Sequence, residues 1–272
     1  MRSQRLRPMA DEPLSGWLSL REAADAAARS TALLESLIAV LPARRPLRIV
    51  DLGTGTGSNV RYLAPRLPRP QQWLAVDRDA RLLEELRHRV DVPIETRTTN
   101  LGTLVDGLFD GRDIVTASAL LDLVSEAWLV RLAAQCRRVG AAALFALTYN
   151  GESRCDPPEP EDDEVRALMN RHQRQNDKGF GRAAGPDGTG AAEHAFVAAG
   201  YTVRRARSDW IIDASARELQ RRLVEGWADA ATAIAPGETD AIRAWLVRRL
   251  RHIDAGRSRI AVGHEDLAAW LR

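Results

Sequence analysis

Asp51, Gly53, Gly55 and Gly57 sit in the run VDLGTGTGSN, between a short apolar segment, Leu47–Leu52, and a segment of helical character, Ser58–Ala64. An acid, a glycine-rich turn and a helix start together make a device for holding a nucleotide-like ligand. Glycine tolerates the positive φ angles of a tight turn and lets a ligand approach the backbone. The helix start presents N–H groups with no partner inside the helix. The glycine spacing narrows the ligand. The dinucleotide fingerprint is G-x-G-x-x-G. Counted from Gly53, its third glycine falls at position 58, which is Ser58. The pattern here is D-x-G-x-G-x-G, which argues against an NAD-dependent oxidoreductase.

Three further positions carry compatible chemistry. Asp77, in WLAVDRD, lies 26 residues after Asp51 (77 − 51) and closes a second apolar run. A carboxylate at the end of a second strand can accept hydrogen bonds from both ribose hydroxyls. The alternative for Asp77, capping the next helix, is better met by Asp79. Asn100-Leu101 follows a third strand pattern, and Asn100 is equally well read as a plain turn residue. Thr116–Asp122 (TASALLD) ends a fourth, with small side chains that permit close approach.

With these residues in place, VDLGTGTGSN resembles motif I of the class I S-adenosylmethionine-dependent methyltransferases. The resemblance spans about residues 47–148. It implies that Asp51, Gly53, Thr54, Gly55, Gly57 and Asn59 hold the amino-acid end of S-adenosylmethionine. It implies that Asp77 holds the ribose and that Arg78 flanks the adenine. Asn100 and Leu101 stand where the family often has an acid-hydrophobe pair, and the Asn100 carbonyl could accept from the adenine amino group without a charge. Ser118 and Ala119 would pass beneath the methionine part. Arg21 resembles the arginine that some members aim at the cofactor carboxylate from ahead of the first strand; its plain alternative is a surface helix arginine.

Methyl transfer from a sulfonium is an in-line displacement in which the protein supplies position and desolvation, with a general base for an O–H or N–H nucleophile. The acceptor belongs at the ends of strands four and five and in the irregular region beyond them, which points to Asp122, Tyr149, Asn150, His172, Asp177, Lys178 and Trp210. The segment Arg171–Gly181 is dense in functional groups. It is expected to form a lid, with His172, Asp177 and Tyr149 as candidate catalytic groups and Lys178 or Arg174 as an anion contact; a solvated helix end and loop is the plain alternative. Tyr149-Asn150 is not the Asn-Pro-Pro-Tyr motif of enzymes that methylate bases and glutamine. The histidines lack metal-ligand spacing. Val262–Leu267 (VGHEDL) reads as a strand end and helix cap with a structural role.

The elements that must position these groups alternate. Strands are expected at Leu47–Leu52, Trp73–Val76, Pro93–Thr98, Asp113–Ser118 and Ala141–Thr148, with helices at Ser58–Ala64, Asp79–Val90 and Ser125–Arg138. That alternation predicts βαβ units and an α/β, Rossmann-like fold: a mainly parallel seven-stranded sheet with helices on both faces. One long helix is expected over 18–41, stopped by Pro42, after a frayed leader of residues 1–16. Asp156–Glu164 (DPPEPEDDE) reads as an acidic linker, followed by a helix over Asp162–Gln175. Tyr201–Ile212 reads as one long β run, Arg257–Val262 as the final strand and Asp266–Arg272 as a short tail. Helices at Ser215–Ala235 and Glu238–Ile253 fall between the last two strands and suggest a lid or a homodimer surface. The expected organisation is one domain over 1–272: a cofactor-binding core at 47–148, an acceptor-side lid at 149–200 and a helical insertion at 213–256.

The chain has 272 residues, 45% of them hydrophobic, enough for a sizeable core. Net charge is +2, and Lys178 is the only lysine. Its arginines alternate with acids and apolar residues, without the basic stripe and interleaved aromatics of a nucleic-acid binder. Two cysteines make no disulfide framework. No apolar run is long enough for a bilayer, and the N-terminus has no secretory pattern. These features favour a cytoplasmic enzyme acting on a small-molecule acceptor, without membrane contact. RNA or protein methylation, and cofactor binding without transfer, remain the alternatives.

Overall fold

The computed structural model describes residues 14–41, 46–175, 177 and 179–271. Most of the expected leader, together with Pro42 and Lys178, lies outside these residues. The first strand, β1 (Leu47–Leu52), is buried at five of its six positions. It pairs in parallel with β2 (Gln71–Asp77) on one side and with β4 (Ile114–Ser118) on the other. β3 (Ile94–Thr98) extends the first side and β5 (Ala142–Asp156) the second. The order is β3-β2-β1-β4-β5-β8-β6, with β8 (Arg259–Trp270) antiparallel to β5 and to β6 (Thr202–Arg207). β7 (Trp210–Ile212) pairs with β8 off this path. Strand order reverses at β1/β4, and a crevice opens there beyond the carboxyl ends of the strands.

Helices fall where caps and apolar periodicity place them. α3 (Ser58–Leu63) and α4 (Ala80–Arg89) follow β1 and β2; Asp79 caps α4 by accepting from the Arg81 N–H at 2.9 Å. α5 (Glu126–Val139) is capped by Ser125 and stopped by Gly140 in a left-handed conformation. With α7 (Gly188–Ala198) it covers one face of the sheet through Trp128, Leu132 and Phe196. The other face is covered in part by α2 (Thr31–Ile38) and α3. A further apolar core lies among α6 (Asp162–Gln175), α8 (Arg217–Ile234) and α9 (Thr239–Asp254), joined by the edge of α1 (Leu14–Ala28).

Several expectations change. Among the described residues the sheet has eight strands, not seven. The helix expected over 18–41 begins at Leu14 and is two helices, α1 and α2. The break falls at Ser30, whose hydroxyl accepts from the Leu33 N–H while its own N–H donates to Asp266 Oδ2 at 2.9 Å. The β run 201–212 is divided at Ser208-Asp209, which bond to the backbone of His264. The tail expected after Asp266 is the second half of β8. β5 runs to Asp156, well past its expected end at Thr148. The acidic stretch does not hang free. Asp162 pairs with the fully buried Arg249 and accepts from Trp245 Nε1 at 2.8 Å, and Glu159 contacts Arg248 and His252. Burial explains it: a cation withdrawn from water needs a carboxylate partner. The α8 and α9 stripes face this core.

Candidate active site

Gly53, Gly55 and Gly57 all have positive φ, at 64°, 55° and 86°. The turn is fixed by the Thr54 N–H, which donates to the Val76 carbonyl at 3.0 Å. Helix α1 lies over it: a Cβ on Gly55 would stand 2.8 Å from Leu18 Cδ1. Glu22 of α1 pairs with Arg61 of α3, and the Arg61 bond holds the Glu22 carboxyl below its usual range.

Asp51 is fully buried and turned into the protein. Its Oδ1 accepts from Asn59 Nδ2 and its Oδ2 from Thr54 Oγ1, both at 2.6 Å. Asn59 Nδ2 also reaches Thr116 Oγ1 at 3.1 Å, and Thr116 donates to the Leu144 carbonyl. Burial raises the Asp51 pKa to about 6, opposed by the bonds from Thr54 and Asn59. Arg29 donates to Asn59 Oδ1 at 2.6 Å and lies over the Tyr62 ring. It is buried, burial lowers its pKa, and no carboxylate is within ion-pair distance of it among the described residues.

Asp77 braces the same turn. Its Oδ2 accepts from the Gly55 N–H at 2.9 Å and its Oδ1 from the Asp79 N–H at 3.0 Å. Arg78, next to it, is exposed. Ser118 ends β4, and Ala119 follows with φ at 52°, its N–H donating to the Ala146 carbonyl. A non-glycine residue held there is strained backbone. A cavity of about 180 Å³ is lined by Asp25, Arg29, Asn59, Tyr62 and Ser118, among others. The fold therefore brings together the glycine turn, Asp51, Asn59, Asp77 and Ser118.

Other expected residues stand differently. Arg21 is committed to Asp25 at 2.9 Å and lies over the Trp210 ring. Arg29, eight residues further along and on the same helical face by four-residue spacing, borders the cavity. Asn100 is exposed, and its Oδ1 is taken by the Gly102 N–H, an ordinary turn arrangement. Leu101 is buried, with its carbonyl accepting from Trp128 Nε1.

The three catalytic candidates are dispersed. Tyr149 is buried, with its hydroxyl donating to Asn170 Oδ1 at 2.9 Å, and burial pushes its pKa up. Asp177 is exposed, and its Oδ1 accepts from the N–H groups of Gly179, Phe180 and Gly181. That is the work of a loop former. His172 is half-buried in the last turn of α6. It lies two residues past Asn170, roughly 200° around the helix from the residue that meets Tyr149. Arg174 pairs with Asp187. Gly179 leans on the segment just past β3, where a Cβ on Gly102 would run into the Gly179 carbonyl oxygen.

The segment read as structural, Val262–Leu267, enters the site region. His264 is buried beside Trp210 and Tyr149, with ring centroids 4.8 and 6.1 Å away. Burial, and then the nearby Arg21, lower its pKa to about 3. Asp266 accepts from the N–H groups of Ser30 and Leu147. Among the described residues no group of three or more His, Cys, Asp and Glu could hold a metal, and no helix is long and apolar enough to cross a membrane.

Residues 49–141 match the family described as "Methyltransferase domain". No curated protein matches the sequence. Among solved structures, the YcgJ protein of Bacillus subtilis is 15% identical, with a TM-score of 0.50, covering 89% of this chain and 100% of its own. The BH2331 protein of Bacillus halodurans C-125, provisionally named a methyltransferase, is 13% identical, with a TM-score of 0.50, covering 88% and 97%. At such identities the likeness speaks for the fold. Residues 49–141 thus match a methyltransferase domain, and the glycine turn and Asp77 stand at the switch point of a sheet whose fold these solved structures share.

Proposed function

We propose that this chain methylates an oxygen or nitrogen atom of a small-molecule acceptor. The observation that carries the cofactor half of this reading is the joint geometry of the Gly53–Gly57 turn and Asp77, whose carboxylate is bonded to the Gly55 N–H at the mouth of the crevice. S-adenosylmethionine, when bound, supplies an activated methyl group on a sulfonium. The residues present suit it. The glycines let it approach the backbone, and Asp77 has acceptor capacity left for ribose hydroxyls. Arg29, a buried cation at the edge of the cavity beside Ser118, suits a carboxylate better than Arg21, whose charge Asp25 already meets. Asp51 and Asn59 hold the turn from beneath. Arg78, Asn100 and Leu101 border the place for the adenine, and Ser118 and Ala119 form the floor under the methionine.

The acceptor half rests on where the extra elements stand. α1 and the α6–α8–α9 core meet over β5 and β8, which favours an enclosed site over an open track for a macromolecule. This reading treats the whole chain as one domain in which residues 149–200 and 213–256 shape the acceptor side. Calorimetry with S-adenosylhomocysteine and with NAD tests the cofactor half: binding of the first supports it, and binding of NAD alone overturns it.

A further inference from the structure

His264 sits in a constructed position. Tyr149 is its register partner on β5, and Trp210 stands on β7 beside it. Both aromatic rings lie against the imidazole. Tyr149 is held by Asn170, and Trp210 by its Nε1–H bond to Asp25 at 3.1 Å. The imidazole Nδ1 lies 3.0 Å from the Val262 carbonyl. A carbonyl can only accept, so Nδ1 carries the proton, and in the neutral ring Nε2 has a bare lone pair. Nε2 has no hydrogen-bond partner among the described residues.

The sheet fixes where this lone pair stands. Ser118 ends β4, β5 is the next strand and β8 the one after. Tyr149 lies three residues past Ala146, the partner of Ser118, so His264 stands two strand spacings to the side of β4 and roughly 10 Å beyond its end. Trp210, against the imidazole, is bonded through Nε1 to Asp25, which lines the cavity that Arg29 and Ser118 border. Every charge close to His264 is already met. Arg21 pairs with Asp25, and Asp209 accepts from Arg207 and from the His264 N–H. A charged acceptor would find no unpaired partner there.

We propose that His264 holds the methyl acceptor, its Nε2 accepting a hydrogen bond from a neutral O–H or N–H group, with Trp210 and Tyr149 fixing the ring. This rests on the methyltransferase reading and names the acceptor side of that same site. In the transfer, a lone pair on the acceptor oxygen or nitrogen forms the bond to the methyl carbon. The carbon–sulfur bond breaks with its electron pair left on sulfur, giving a neutral thioether. The acceptor's proton passes to Nε2, so one positive charge enters on sulfur and one leaves on the imidazolium. The site's total charge is unchanged. Burial makes His264 a weak base, but an oxygen that has just gained a methyl while keeping its proton is an oxonium, a strong acid, which favours a hydroxyl acceptor over an amine.

The test uses phenol and anisole, which differ by the donor proton, on the full chain loaded with S-adenosylhomocysteine. Histidine ¹⁵N spectra are expected to show His264 as the Nδ1–H tautomer, with phenol moving the Nε2 resonance and anisole leaving it in place. With labelled S-adenosylmethionine, His264→Ala is expected to lower transfer to phenol at least about 100-fold, within the range for a lost proton acceptor, and His264→Gln to recover part of it. S-adenosylhomocysteine should bind both variants within about twofold of the parent. A proton on Nε2 in the neutral ring, equal responses to phenol and anisole, or full transfer by His264→Ala each overturns the proposal. Failure of the parent chain to bind S-adenosylhomocysteine overturns the methyltransferase reading itself, and calorimetry without either probe reveals that separately.

Discussion

Arg29 and Asp51 face each other across one side chain, Asn59, which accepts from the guanidinium at 2.6 Å and donates to the carboxylate at 2.6 Å. Neither charge reaches the other directly. The amide therefore carries both the end of β1 and the cavity wall, and all three groups are buried.

Replacing Asn59 by Ala should leave a buried carboxylate and a buried guanidinium each short of a partner. A loss of about 1–3 kcal/mol is expected for such an orphaned group. Urea unfolding measures it, and S-adenosylhomocysteine affinity should fall in parallel.

Asp77→Ala should weaken S-adenosylhomocysteine by roughly 1.5–3 kcal/mol, as for lost hydrogen bonds to a charged group. Calorimetry gives the value. Unchanged affinity would remove Asp77 from the ribose. Because Asp77 also accepts from Gly55, the loss should include a looser turn, visible as faster hydrogen exchange at Gly55.

The pH dependence of stability should contain two opposing slopes. Burial lifts Asp51 from an ordinary 3.8 to about 6, so between those values the folded state binds the extra proton. Asp51 thus stabilises below about pH 4, and this is lost as pH rises through 6. His264 is lowered from 6.5 to about 3, so the unfolded state binds the extra proton there, and its stability is lost as pH falls from 6.5. Asp51→Asn should leave the rising slope, and His264→Gln the falling one. Urea unfolding from pH 4 to 7 separates them.

Arg249→Ala should be among the most destabilising single changes in the α6–α8–α9 core. It strands Asp162 beside Trp245, and breaking a buried pair costs about 3–5 kcal/mol. The melting temperature should fall, and recover in part with Asp162→Asn present.

The central alternation was legible because it is local. Apolar runs bounded by glycine and proline, caps at Asp79 and Ser125, and the stop at Gly140 act within a few residues of themselves. What failed to show were contacts between distant segments. The break at Ser30 depends on Asp266, 236 residues away. The acidic stretch at 156–164 reads as a linker until Arg248 and Arg249 reach it from α9. Asp177, suggestive in sequence, spends its carboxylate on its own loop.

By itself the sequence determined the cofactor class. Glycine spacing and the position of Asp77 follow from backbone sterics and strand length, which are written into consecutive residues. Only the tertiary structure decided which arginine borders the cavity and which histidine stands beside Tyr149 and Trp210. Arg21 and Arg29 share one sequence face, and burial with pairing separates them. His264 is brought to Tyr149 by the antiparallel register of β8 on β5. Such pairing joins residues more than a hundred positions apart and leaves no local pattern to read.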